Sequence, residues 1–222
     1  MSSQCKFKRY IWELPVRWSH WVNAACIVIL SVTGLYIASP ASLGRTPADF
    51  QMGWVRFVHF VAAYTFAVSV ATRVAWSFLG NKYAGWREFL PFFAVKGRKK
   101  MLAMLRYYLF LDKNVPETIG HNPLATTAYT LLFGLYLLMM VTGFTLYSTH
   151  APQGFLFTLF GWVRSIFSLQ TIRLLHHLSM YAIFGFVVNH IYSAWLMDIK
   201  EHGAEISSMF SGYRFTIHRK DD

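Results

Sequence analysis

Nine histidines occur in 222 residues, and four of them, His20, His59, His176 and His190, stand inside runs of apolar side chains. An imidazole in such surroundings carries protons, binds a metal, or sits at a helix end reaching water or a backbone carbonyl. Spacing argues for the second use. His176 and His190 are 14 residues apart, about 3.9 helical turns and roughly 21 Å of rise, so both leave one helix on nearly the same face. His177 is 13 residues from His190 and faces the other way. A zinc centre needs three or four ligands converging at one depth, usually with carboxylate or thiolate among them, and none accompanies these histidines. Two imidazoles facing each other across a flat macrocycle need only one residue from each of two helices. That is bis-histidine haem ligation.

The elements that must hold these residues are membrane spans. The chain is 55% hydrophobic and 18% aromatic with only 14% charged residues, against roughly 25% charged in soluble domains. Four apolar stretches approach the roughly 20 residues that cross a bilayer as a helix: about 18–38, 54–79, 124–148 and 174–197. Pro40, Pro47, Gly80, Pro123 and Pro152 mark the breaks between them. A fifth apolar stretch, 86–111, carries Lys96, Arg98, Lys99, Lys100 and Arg106, and reads as an amphipathic segment on the membrane surface. Residues 1–222 are therefore expected to form one all-α integral membrane domain, a four-helix bundle. The basic N-terminal head runs into the first span without a small-residue cleavage site, so that span reads as a retained anchor.

Charge orients the bundle. Lys plus Arg number 21 against 10 Asp plus Glu, a formal +11. Four basic residues lie in the head, eight between the second and third spans, and four in the tail. Only Arg45, Arg56, Arg164 and Arg173 fall on the other side, with Arg73 at a border. The positive-inside rule then makes both termini cytoplasmic. The same distribution removes nucleic acid as a partner, because the basic residues segregate by membrane side. Alternating span direction places His20 and His190 at the inner depth and His59 and His176 at the outer depth. Two depth-matched pairs follow, each suited to one haem b.

Other residues refine this picture. Val32-Thr33-Gly34 and Val141-Thr142-Gly143 put Gly34 and Gly143 near the outer ends of spans one and three, where a glycine admits either a haem face or a neighbouring helix. Arg17, three residues before His20, can pair with a haem propionate or serve as a basic flank. Two cysteines, Cys5 and Cys26, give no disulfide framework, and without a Cys-x-x-Cys-His sequence the haem is not attached covalently.

Several segments resemble the cytochrome b subunit of membrane-bound respiratory nickel–iron hydrogenases: 13–21 (Glu-Leu-Pro-Val-Arg-Trp-Ser-His-Trp), 52–60 (Met-Gly-Trp-Val-Arg-Phe-Val-His-Phe), Gly120-His121-Asn122-Pro123, Thr142-Gly143-Phe144, His176-His177-Leu178-Ser179-Met180 and Gly212-Tyr213-Arg214. The likeness covers nearly the whole chain in order. It implies two haems b, the outer on His59 and His176 and the inner on His20 and His190. It also implies hydrogenase small and large subunits on the periplasmic face of a bacterial inner membrane, with quinone as electron acceptor. The chain would be a quinone-reducing electron-transfer subunit, without hydrogen chemistry of its own. His121 is the candidate for the quinone region, or else a turn cap before Pro123. Membrane subunits of formate dehydrogenases share the histidine layout and are the alternative. A transporter or zinc protein is the third reading, disfavoured because the expected spans hold no Asp or Glu.

Overall fold

The computed structural model describes residues 6–40, 50–86, 102–103, 106, 111, 123–201 and 204–217. Among them four helices are long and apolar enough to cross a membrane: α1 (Leu14–Ala38), α2 (Gln51–Leu79), α3 (Pro123–Ser148) and, after the short helices α4 (Phe155–Phe160) and α5 (Val163–Ile166), α6 (Leu169–Glu201). A last helix, α7 (Glu205–Ser211), precedes the C-terminal strand.

The helices overrun the expected spans, α6 most of all. Hydropathy counts apolar side chains, whereas backbone hydrogen bonding continues until something stops it. Pro15 and Pro123 fall in the first turns of α1 and α3, where the N–H that proline lacks would have no helical partner. Ser168 caps α6, its Oγ accepting from the Thr171 N–H at 3.1 Å. At 33 residues, α6 is about 50 Å long, more than a bilayer core of about 30 Å requires. The expected surface segment 86–111 lies almost wholly outside the described residues.

To the helical spans the chain adds one small β element. The head and tail form a two-stranded antiparallel ribbon, β1 (Lys6–Tyr10) with β2 (Tyr213–Ile217), in the register Lys8 to Phe215, Arg9 to Arg214 and Tyr10 to Tyr213. Each segment is only five residues long, too short for a periodic signal to stand out, and neither strand is stable without the other. The Ile11 and Trp12 N–H groups both donate to the Gly212 carbonyl (2.9 and 3.1 Å). The Asn81 side chain donates to the Ile11 carbonyl at 3.0 Å, and its backbone N–H donates to Glu13 at 2.8 Å. The segment after β1 is therefore held both to Gly212 and to Asn81.

By internal contacts the chain forms two compact units, 14–76 and 1–13 with 77–222. In the first, α1 and α2 run antiparallel: Ser69 Oγ donates to the Ser19 carbonyl (3.4 Å) near one end, and Tyr36 OH donates to Gln51 Oε1 (3.2 Å) at the other. Their buried residues include Ser19, Cys26 and Ser31 on α1 and Ala62 and Ser69 on α2. Small and weakly polar residues of this kind let membrane helices approach closely. In the second unit α3 lies along α6, and Phe144 stacks on Phe160 of α4. Apolar side chains elsewhere face outward, Val32 at 64% exposed and Val188 at 69%, as a lipid solvent permits.

Candidate functional site

His59 lies in the first half of α2, and its Nδ1 is 2.8 Å from Thr33 Oγ1 on α1. The same hydroxyl is 2.7 Å from the Ile29 carbonyl one turn back. A hydroxyl has one hydrogen and a carbonyl has none, so at that distance Thr33 must donate to Ile29. Toward His59 it can then only accept, which fixes the imidazole proton on Nδ1 and leaves the Nε2 lone pair available. Gly34 lies under the ring: a Cβ there would stand 3.4 Å from His59 Cε1.

The second unit repeats this arrangement. Thr142 on α3 donates to the Leu138 carbonyl at 2.7 Å and accepts from His176 Nδ1 at 2.9 Å. A Cβ on Gly143 would stand 3.1 Å from His176 Cε1. Each unit thus carries a Val-Thr-Gly turn on one helix that orients a histidine on the next. This is how proteins prepare imidazole as a metal ligand, since a partner on one ring nitrogen sets the tautomer and the orientation of the other. The residues fit haem on that ground: an imidazole oriented through Nδ1 in each unit, beside a glycine that keeps the helix surface low.

His190 is on α6 with His176, and no break separates them. Its ring stacks on Phe186 one turn earlier (5.8 Å between centroids, 9° between planes), and Tyr129 of α3 meets it edge-on at 6.0 Å. His20 is half-buried near the start of α1, edge-on to Trp21, with Arg17 half-buried one turn before it. His20 and His59 belong to the first unit, His176 and His190 to the second. His177 bonds its own helix, Nδ1 donating to the Arg173 carbonyl at 2.8 Å. His150 is exposed and turns back to the Tyr147 carbonyl. His121, His202 and His218 lie outside the described residues.

Reading the sequence found the histidines and glycines but gave no role to Thr33, Thr142, Tyr129 or Phe186. A periodic signal was available. His20 and Gly34, His59 and Arg73, Tyr129 and Gly143, and His176 and His190 are each 14 residues apart. Every long helix therefore carries two of these residues on nearly one face, separated by roughly 21 Å of rise.

Four long apolar helices, with imidazoles oriented inside them, define a multi-pass membrane protein built to hold a metal-bearing group. The chain belongs to the prokaryotic cytochrome b561 family, whose pattern it matches over residues 11–212. It is 41% identical over 211 residues to a probable Ni/Fe-hydrogenase B-type cytochrome subunit of Rhodobacter capsulatus, covering 92% of this chain and 80% of that protein. To the Rhizobium leguminosarum bv. viciae protein of the same description it is 42% identical over 217 residues, 96% and 91% of the two chains. A probable Ni/Fe-hydrogenase 1 B-type cytochrome subunit of Escherichia coli (strain K12) is 36% identical over 216 residues, covering 92% and 90%.

Proposed function

We propose that the chain is the transmembrane electron-transfer subunit of a respiratory nickel–iron hydrogenase and holds two haems b in one membrane domain, residues 1–222. His59 and His176 ligate the outer haem, and His20 and His190 the inner. The observation that carries the reading is the duplicated threonine–histidine–glycine arrangement, one copy per unit at the depth assigned to the outer haem. Haem bound there supplies a one-electron carrier at each depth. The protein's part is to present oriented imidazoles, hold His176 and His190 at a fixed separation on α6, and exclude water with apolar helix faces. Phe186 and Tyr129 restrict the His190 ring at the inner layer. Arg17 is placed for a propionate, and Gly34 and Gly143 for the outer macrocycle's approach.

With haem held by His59 and His176 at the outer depth and by His20 and His190 at the inner, the chain would carry electrons from the small subunit of a periplasmic hydrogenase heterodimer toward membrane quinone near the cytoplasmic face, in the region of His121. The hydrogenase descriptions of the relatives favour this partner over formate dehydrogenase. Both termini are cytoplasmic in the bacterial inner membrane, with segment 86–111 on the cytoplasmic surface.

Reduced-minus-oxidised spectra of the purified chain test the reading. The wild type gives two b-type components. His176→Ala loses the outer one alone, and His177→Ala keeps both, because its imidazole is engaged with Arg173. A wild type without b-type bands would sink the proposal, and a haem lost from His177→Ala would overturn the ligand assignment. Co-purification in mild detergent separates partners: nickel supports the hydrogenase, and a molybdopterin enzyme the alternative.

A further inference from the structure

Arg73 is the residue that the site has not absorbed. It is 8% exposed, although it lies inside a helix apolar enough to cross a membrane and six residues before that helix ends. It closes the inward stripe of α2, the sequence His59, Ala62, Phe66, Ser69 and Val70, Arg73, spaced at helical intervals. An arginine serving only as a basic flank would lie outward and reach lipid phosphate. The adjacent Val74, at 44% exposed, occupies that outward position instead. Arg73 points inward, on the same face as the histidine proposed to bind the outer haem, and 14 residues from it.

The register of α1 against α2 sets its level. Ser69 Oγ bonds the Ser19 carbonyl. In an antiparallel pair, Arg73, four residues further along α2, comes level with Pro15 on α1, two residues or about 3 Å of rise from Arg17. Both arginines lie roughly one turn beyond His20, toward the helix ends that enclose this layer. A haem held by His20 would bring two propionate carboxylates that need cationic partners in this layer. Two guanidiniums at that level match two carboxylates in charge and in bidentate geometry. Resting on the inner haem of the proposed function, we propose that Arg73 acts with Arg17 as a two-guanidinium site for the propionates of the haem at His20 and His190.

Redox titration of the purified full chain, Arg73→Gln and Arg73→Lys tests this. The inner haem is identified by its persistence in His59→Ala. A positive charge near the iron favours the reduced form. Arg73→Gln should therefore lower the inner haem's equilibrium constant for reduction by about tenfold, as expected for one charge roughly 10 Å away at an effective dielectric of 20. The outer haem should be unchanged, and Arg73→Lys should restore most of the shift. Loss of the inner haem alone from Arg73→Gln, with retention in Arg73→Lys, supports the same site. Two haems with unaltered potentials in Arg73→Gln overturn it and leave the ligand assignment standing, as does a change confined to the outer haem. A lipid phosphate as the arginine's partner gives the unaltered result. A wild type without haem fails the functional reading itself, and this inference with it.

Discussion

A threonine that has already given its hydrogen to its own helix can only accept from a neighbouring imidazole, and in this way Thr33 and Thr142 set how His59 and His176 are turned. Each hydroxyl is 2.7 Å from a carbonyl one turn back and 2.8 or 2.9 Å from a histidine Nδ1. The two glycines beside them are not equivalent. An added Cβ at position 34 meets His59 at an ordinary van der Waals distance of 3.4 Å, whereas at 143 it meets His176 at 3.1 Å. Gly143→Ala should therefore push the His176 ring and reduce outer-haem occupancy several-fold, while Gly34→Ala stays near wild type. Haem-to-protein ratios of the two purified variants check this, and equal ratios would contradict the close packing at Gly143.

At the scale of elements, the helix C-terminus at Gly212 decides how the chain's ends are joined. Gly212 has φ +84° and closes α7 with its N–H on the Ser208 carbonyl (2.8 Å). Its own carbonyl receives the Ile11 and Trp12 N–H groups. A Cβ there would lie 2.6 Å from the Tyr10 ring and 2.8 Å from the Trp12 carbonyl. Strain and clash act together, so Gly212→Ala should destabilise the ribbon by about 1–3 kcal/mol. Limited proteolysis of the tail in detergent should show faster cleavage with the haem spectrum unchanged. Asn81 belongs to the same joint, its side-chain oxygen accepting from the Tyr83 and Ala84 N–H groups, both at 3.0 Å. Arg214 pairs with Glu205 across α7 and β2.

On the scale of the whole molecule, the ribbon brings both chain ends together, as four spans require. In the proposed arrangement the excess of basic residues assigns that side to the cytoplasm by the positive-inside rule. A fluorescent protein fused after residue 222 should therefore be bright, and alkaline phosphatase fused after Ala151, between α3 and α4, should be active. The reverse pattern would invert the proposed electron path. The exposed apolar residues of α4 and α5, Phe155 at 77% and Trp162 at 60%, lie beyond the Ala151 turn and so on the side where the hydrogenase is proposed to dock.

Much of this was legible in the residues alone. Helical identity and span number follow from hydropathy, because lipid accepts little besides closed helices. The same-face relation of His176 and His190 follows from the pitch of one helix. Other features needed the third dimension. Helix limits overran the apolar runs, since hydrogen bonding ignores hydropathy. The β1–β2 ribbon joins segments some 200 residues apart, and no local pattern encodes that pairing. The proton on Nδ1 of His59 and His176 depends on threonines 26 and 34 residues away in sequence. The composition that opened onto a membrane protein with nine histidines determined which residues could bind a metal. Only the packing of one helix on another decided how the His59 and His176 rings are turned.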